Sequence, residues 1–484
     1  MDAIVRKAQS QDLRDWIKQM EAAGELIHVS GADREAEIGG IIDIAMRKMG
    51  RPSVLFDNVP GYKPGFRVLS NLLTSVRRIS LMLGLPANTS EVDLVRFWRD
   101  YRRDAPTIEP KVVNTGALLE NSFEGDDIDL LSIPAPRWHE GDGGYFIGTG
   151  CMVIMKDPES GWVNYGAYRV QAHDKKTASV MISKGKHGDI LMRKYHDAGK
   201  PCPIAVVVGV HPGLFAVAGL EIPYGKNEFD AAGGLLGDAV RVIHGPVTGL
   251  PIPAEAEIAF EGFVHKDDLV DEGPLGEWTG YYAGGRAMRP AIRIERLWHR
   301  NDPILTGAVP GIPPNDDTFY RGTARAGVVW HELEAAGVPG VKGVWSHEAG
   351  GSRMWLTVSI KQMYAGHSKQ AGLIASQCHA GAYANRVVVV VDDDIDPADM
   401  DKVVWSICTR CDPRDDVQIL NGCWSTHLDP MSYPSDKHNM NSRMVIDACT
   451  PWNRMDTWPE VVKNSDKLEK QVRDKFSSFL PPEW

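Results

Sequence analysis

Long apolar runs, dense cysteine, blocks of one charge and tandem repeats are all missing from this chain of 484 residues, and each absence removes a class of protein. The most membrane-like stretch, Pro203 to Leu220, is broken by His211-Pro212-Gly213 into two pieces of strand length; two buried strands are expected there, and no membrane span. The opening MDAIVRKAQSQDLRDW has no apolar core of the kind a secretory signal carries, so the mature chain is expected to begin at residue 1 or 2 and to be cytoplasmic. Lys and Arg number 53 against 64 Asp and Glu, a net charge of −11, and neither sign clusters, so neither nucleic acid nor an anionic membrane is an expected partner. The seven cysteines, Cys151, Cys202, Cys378, Cys408, Cys411, Cys423 and Cys449, are odd in number and too sparse for a disulfide scaffold, which suits a reducing compartment. Cys408-Thr-Arg-Cys411 alone has the spacing of a zinc or redox pair, but no second CxxC or HxxxH accompanies it, so it is assigned neither role.

What is present is a large, ordinary globular composition, 43% hydrophobic and 24% charged, enough for roughly three domains of about 150 residues. Leu13, Trp16, Ile17 and Met20 recur at helical spacing before Gly24, a helix is expected from about Glu35 to Met49, and Ser90 with Asp93 forms a capping pattern ahead of Leu94, Phe97, Trp98 and Tyr101. With Ser53 to Phe56 as a strand, residues 1–112 read as an α/β unit. Residues 113–315 change to short β-rich runs punctuated by Gly and Pro, among them Cys151 to Met155, Ile204 to Val210 and Ile258 to Val264, which suits a barrel or split barrel. A helix near Thr323 to Ala336 connects, within 316–338, to a C-terminal α/β domain at 339–460. There Val387 to Val391 reads as a buried parallel strand, and the acidic cluster Asp392 to Asp396 after it as a solvated loop. A charged, helix-like tail at 461–484 is expected to dock on a neighbour. The expected class is therefore α/β (α+β), with a split barrel between two α/β parts.

Three polar segments in the β-rich middle place reactive side chains beside glycines: Asn164-Tyr165-Gly166-Ala167-Tyr168-Arg169, Lys184-Gly-Lys186-His187-Gly, and Glu272-Gly-Pro-Leu-Gly-Glu277-Trp278. Glu272 and Glu277 flank a turn-prone Gly-Pro-Leu-Gly that can bring both carboxylates together. With Arg169 between them, one glutamate stays ionised while the other, in an apolar site, holds a proton at higher pH and donates it. The bland alternative is a pair of exposed loop carboxylates and a surface arginine. Asn164, His187 and Glu228 offer an amide oxygen, an imidazole and a carboxylate, a set suited to Mn²⁺ or Mg²⁺, although a lone histidine is more often a hydrogen-bonded structural residue than a ligand.

Taken in this order and spacing, with Asp12-Leu-Arg-Asp-Trp-Ile17, Gly366-His-Ser-Lys369-Gln and Thr409-Arg-Cys411-Asp-Pro, these segments resemble the UbiD-like family of prenylated-FMN (prFMN)-dependent decarboxylases over nearly the whole chain. The resemblance implies a catalytic network of Glu272, Arg169 and Glu277, with Glu277 as proton donor. It implies that Asn164, His187 and Glu228 hold a divalent ion, usually manganese, against the phosphate of prFMN, that residues 164 to 169, Lys186 and His187 line the flavin, and that Lys369 is a further basic contact. A K⁺ site is implied around Ala218 to Leu220 with Glu228, although Ala218-Gly-Leu-Glu221-Ile-Pro223 departs from relatives that carry serine, methionine and proline there. Trp278 and Lys186 differ from some relatives and are read as substrate-pocket residues. Residues 113–315 become the cofactor, metal and catalytic domain, and 339–460 the part for oligomerisation and pocket closure.

The reaction implied is reversible, non-oxidative loss of CO₂ from an aromatic, heteroaromatic or α,β-unsaturated acid through a covalent substrate–prFMN adduct. A homodimer or homohexamer is implied, with a flavin prenyltransferase as cofactor supplier. Two other readings stay open: an FMN-dependent oxidoreductase on a split barrel, and a non-catalytic assembly subunit.

Overall fold

The computed structural model describes residues 10–104, 106–220, 222–432 and 439–480. The opening helix, Leu13–Ala22, starts where the Asp12 carboxylate accepts from the Arg14 N–H at 2.8 Å and buries Leu13, Trp16, Ile17 and Met20, as the spacing predicts. Ser90 likewise caps the helix Glu91–Asp104 by accepting from the Asp93 N–H at 3.2 Å. A four-stranded mixed sheet runs in the order Leu26–Ser30, Ser53–Asp57, Arg67–Ser70, Ile304–Gly307. Its last strand comes from far along the chain, which ties the N-terminal unit to the end of the β-rich region.

The central sheet positions the site. It has nine strands, eight of them in the order Tyr145–Gly148, Arg169–Ala172, Thr177–Met181, Ala287–His299, Ile258–Glu272, Cys202–Val208, Cys151–Lys156, Val163–Gly166, with Asn121–Glu124 pairing to Ala287–His299. Val163–Gly166 is one edge and Arg169–Ala172 lies next to the other, yet only Ala167 and Tyr168 separate them in the chain. The three Cα steps from Gly166 to Arg169 span at most about 11 Å, so the sheet has to curl until its edges nearly meet. This curl is the split barrel expected from the sequence, and the segment Asn164 to Arg169 is its seam.

One expectation is overturned. Of the two strands expected between Pro203 and Leu220, the first is present as Cys202–Val208, but the second is a helix, Pro212–Ala218. His211 caps it, with Nδ1 accepting from the Gly213 N–H at 3.1 Å, and Pro212 occupies the first turn, where a missing N–H and a fixed φ do no harm. Every residue of that helix is buried, so its composition carries no period to separate helix from strand.

The connecting helix, Phe319–Ala335, begins earlier than expected and packs closely on Glu91–Asp104: a Cβ on Gly327 would lie 2.6 Å from Trp98 Cβ. The C-terminal sheet has the order Val341–Ser346, Trp355–Ile360, Val387–Asp392, Met440–Ala448, Val417–Trp424, and Val387–Asp392 is parallel to both neighbours, as its unbroken apolar run predicts. The acidic loop that follows is not simply solvated, because Arg410 reaches back to Asp392 at 3.0 Å and to Asp394 at 2.6 Å. The tail helix Asp466–Lys475 is exposed throughout. Among the described residues no helix is long and apolar enough to cross a membrane.

Candidate active site

The long antiparallel hairpin of Ile258–Glu272 and Ala287–His299 ends at the pair Glu272–Ala287, so the segment between them, which carries Glu277, is its connection. Glu272 is fixed by the ladder and is 1% exposed. Arg169 starts the strand Arg169–Ala172, separated from the Glu272 strand by two others and paired to Met181. Its guanidinium grips Glu272 through two hydrogen bonds, Nε to Oε1 at 2.7 Å and Nη2 to Oε2 at 2.9 Å, and reaches Glu277 Oε1 with Nη1 at 3.2 Å. Three side chains far apart in the sequence thus form one line, carboxylate, guanidinium, carboxylate, and the two carboxylates are not equivalent. Glu272 holds the bidentate bond, the strong geometry for such a pair. Glu277 has a single longer contact, and its burial pushes its pKa up to about 7 against the opposing pull of Arg169.

Sequence reasoning missed the supports of this line. The Gly273 N–H donates to Gln171 Oε1 at 2.9 Å, and Arg289 Nε lies 3.7 Å from Glu272 Oε2. Gly143 passes so close that a Cβ there would come within 1.6 Å of the Gly273 carbonyl oxygen. No local pattern marks these residues, since each meets the site through strand pairing between distant segments.

A second cluster lies along the seam. The Asn164 side chain donates to Glu228 Oε1 at 2.6 Å, the Tyr165 N–H donates to Glu228 Oε2 at 3.2 Å, and the Tyr165 hydroxyl donates to the Glu228 carbonyl at 3.3 Å. Glu228 opens the helix Glu228–Leu236, where a negative charge is favoured. Burial nonetheless outweighs that help and pushes its pKa up to about 8. His187, at the start of the helix His187–Asp197, has its ring 5.3 Å from Trp162 and 5.4 Å from Tyr224. The Trp162 indole in turn donates to the Lys226 carbonyl at 2.9 Å, so aromatic packing brings His187 beside the strand of Asn164 and the helix of Glu228.

Whether a divalent cation suits these residues can be judged from what they leave unmet. Among the described residues the buried Asn164 Oδ1 has no hydrogen-bond partner, and the Glu228 carboxylate is desolvated. An oxygen without a donor and a carboxylate that resists ionising are what a hard cation satisfies, and the amide, carboxylate and imidazole set fits Mn²⁺ or Mg²⁺. Among the described residues no three His, Cys, Asp or Glu side chains converge as a metal group.

The other predicted residues lie on the seam, on the helices that follow it and in the C-terminal domain. The Tyr168 hydroxyl accepts from the Gly188 N–H at 3.2 Å, and the Ala167 N–H donates to the Ala218 carbonyl at 3.0 Å, across the seam. Gly166 is buried, and a Cβ there would come 2.8 Å from the Tyr168 ring. Lys186 is exposed at the cap of the His187 helix, Leu220 is half-buried, and Glu221 lies outside the described residues. Lys369 is exposed in the first turn of the helix His367–Gln377. Trp278 is half-buried against the C-terminal domain, with its ring beside Gly351 and the Arg353 guanidinium 5.6 Å from its centre.

Family models for the N-terminal, Rift-related and C-terminal domains of 3-octaprenyl-4-hydroxybenzoate carboxy-lyase match residues 17–98, 111–313 and 318–448 in turn. This chain belongs to the UbiD family. It is similar to a phenolic acid decarboxylase from Streptomyces sp. (strain D7), 30% identical over 453 residues that cover 91% of this chain and 92% of the relative. A pyrrole-2-carboxylic acid decarboxylase from Pseudomonas aeruginosa is also 30% identical, over 455 residues and 91% of each chain. Among solved structures, the UbiD-class enzyme HmfF from Pelotomaculum thermopropionicum in complex with FMN superposes with a TM-score of 0.84 at 27% identity, covering 97% of this chain and all (100%) of that one. An evolved dimeric form of HmfF in complex with prFMN superposes at 0.82, with the same identity and coverage, 27%, 97% and 100%. This UbiD-family protein is accordingly a carboxy-lyase, as its sequence implies, and the oxidoreductase and assembly-subunit readings are not favoured.

Proposed function

We propose that this UbiD-family enzyme removes CO₂ from an aromatic, heteroaromatic or α,β-unsaturated carboxylic acid with prFMN bound at the barrel seam, and that Glu277 donates the proton that replaces CO₂. The observation that carries this reading is the asymmetry of the Glu272–Arg169–Glu277 line, in which Glu272 takes the bidentate bond and Glu277, with one longer contact, has its pKa pushed up by burial to about 7. The relatives that act on phenolic acids and on pyrrole-2-carboxylic acid support the substrate class.

When bound, prFMN supplies the sink for the electron pair left on an sp² carbon as CO₂ departs. In this reading Asn164, His187 and Glu228 would hold Mn²⁺ or Mg²⁺, which would offset the negative charge of the cofactor. Residues 165 to 168, Lys186 and Lys369 complete the cofactor's surroundings, and the carbonyls of Ala218 and Leu220 with Glu228 hold K⁺. Arg169, clamped by Glu272, presents its remaining donor edge to the substrate carboxylate and keeps Glu277 beside it. Glu277 then delivers its proton to the carbon that lost CO₂. Residues 113–315 do this work, 339–460 serve oligomerisation and closure of the pocket, and a flavin prenyltransferase supplies the cofactor. The dimeric HmfF form supports a homo-oligomer.

The test is mass spectrometry of the small molecule released from protein co-expressed with a flavin prenyltransferase, followed by a screen of aromatic acids for CO₂ release. The mass of prFMN and turnover of at least one acid are expected. Unmodified FMN with no CO₂ from any acid would sink the proposal. Glu228→Gln, purified in the same way, is expected to retain at least about tenfold less manganese and cofactor, since losses of 10- to 100-fold already follow from outer-shell changes at metal sites. Wild-type retention of both would remove Glu228 from the site.

A further inference from the structure

We propose that Gly351 and Arg353, in the C-terminal domain, are positioning residues for Glu277, which they hold through Trp278, the next residue in the chain; this rests on Glu277 being the proton donor. Glu277 lies in the hairpin connection, outside the ladder that fixes Glu272, and only one hydrogen bond of 3.2 Å joins its carboxylate to Arg169. Its backbone, however, is tightly turned: the Glu277 N–H donates to the Tyr281 carbonyl at 3.0 Å, and the Gly280 N–H donates to the Glu277 carbonyl at 2.9 Å. Residues 277 to 281 therefore move as one piece, and whatever seats Trp278 also seats Glu277.

The seat comes from outside the catalytic domain. A Cβ on Gly351 would fall 2.6 Å from Trp278 Cε3 and 2.7 Å from Cζ3, so the indole lies flush on a residue without a side chain. Gly351 also has φ +63°, so both its backbone and the space in front of it call for glycine. Arg353 closes the notch, its guanidinium carbon 5.6 Å from the Trp278 ring centre and 5.2 Å from that of Tyr383, a cation held between two aromatic faces. The turn that carries the notch, Glu348–Gly350, is tied back to the N-terminal unit by the Arg51–Glu348 ion pair at 2.9 Å. On the opposite side of the loop a Cβ on Gly280 would come 3.0 Å from Ile312 Cα, so the Glu277 turn is gripped between the 310–313 segment and the C-terminal domain. The proton donor is thereby held in line only while that domain is docked.

Loss of the notch frees Trp278, admits water beside Glu277 and lets its carboxyl drift from Arg169. The charged groups around that carboxyl, Arg169, Glu272, Arg289 and Asp317, stay where they are, so the change acts through solvent and distance. The experiment compares wild type, Arg353→Met, Arg353→Lys and Gly351→Ala as prFMN holoenzymes. It reads kcat, KM and cofactor content, and also the infrared titration of the Glu277 carboxyl, taken as the difference from Glu277→Gln. Arg353→Met is expected to lower kcat about 5- to 20-fold with KM within about twofold, and Arg353→Lys to recover most of the loss, because sub-ångström placement of a reacting group governs kcat. Water relieves the burial, the larger influence on this carboxyl, and outweighs the weakened pull of Arg169, so the titration midpoint should fall from about 7 toward the ordinary 4.5. If Arg353→Met does not fold, Gly351→Ala decides by the same readings. Wild-type kcat and wild-type midpoint in a folded variant would overturn the proposal. If the wild-type enzyme releases no CO₂ from any acid, it is the donor role that fails, and the infrared midpoint still decides whether the notch holds Glu277.

Discussion

Glu277→Gln is expected to lower decarboxylation by about 10²- to 10⁴-fold, the usual worth of a positioned general acid, with the fold and the bound cofactor unchanged. The amide keeps the shape of the side chain and can still face Arg169, so what is lost is the transferable proton. The pH dependence sharpens the test. A carboxyl raised from 4.5 to about 7 by burial is the protonated donor below that pH and an empty carboxylate above it. The wild-type kcat/KM should therefore fall as pH rises through about 7, and the residual rate of Glu277→Gln should lack that limb. The linkage has the same sign for stability: the folded chain binds this proton more tightly than the unfolded one, so Glu277 costs stability progressively between about pH 4.5 and 7, and the glutamine variant is spared that cost. Full activity in Glu277→Gln, or an unchanged pH profile, would end the assignment.

The largest expected loss of stability lies elsewhere, at Glu257, a carboxylate that is 0% exposed. Arg14 binds it with two bonds of 2.8 Å, Arg300 reaches it at 3.2 Å, and the Ile304 N–H donates to it at 3.1 Å. One side chain thus joins the opening helix, the central sheet and the last strand of the N-terminal sheet. In Glu257→Met the Arg300 guanidinium, whose side chain is 9% exposed, stays buried beside apolar atoms. Breaking a buried pair in this way costs about 3–5 kcal/mol. Asp12→Ala removes the outer bond to Arg300, from a carboxylate that is 25% exposed, together with the cap of the opening helix, and should cost about 1–2 kcal/mol. Urea unfolding of the three proteins side by side checks the ranking, and equal midpoints for Glu257→Met and wild type would refute it.

Local patterns in the sequence carried the opening helix, the Ser90 cap and the parallel strand at Val387, because each is written in neighbouring residues. Pro212–Ala218 was misjudged because a run buried on every side has no period, and Pro212, taken as a break, is in fact a start. At the site, the Gly-Pro-Leu-Gly spacer explains why two glutamates can converge, and the family resemblance named Arg169 as the residue between them. Gln171, Arg289, Gly351 and Arg353 left no such mark. The first two meet the loop through register between distant strands, and the last two belong to another domain whose docking no local pattern encodes.

The seam of the barrel also sets how this enzyme can change over evolutionary time. Six consecutive residues, Asn164 to Arg169, span both lips of the curled sheet, with Asn164 bonded to Glu228 on one side and Arg169 bonded to Glu272 on the other. A single inserted or deleted residue there would shift both lips at once and turn alternate side chains to the wrong face. The hairpin connection that bears Glu277 is free of that double duty. New substrate preferences should therefore accumulate as length and side-chain changes between residues 282 and 286, past the turn that seats Glu277, where variation spares the seam, and the short span from 164 to 169 should resist insertion in any descendant that keeps the chemistry.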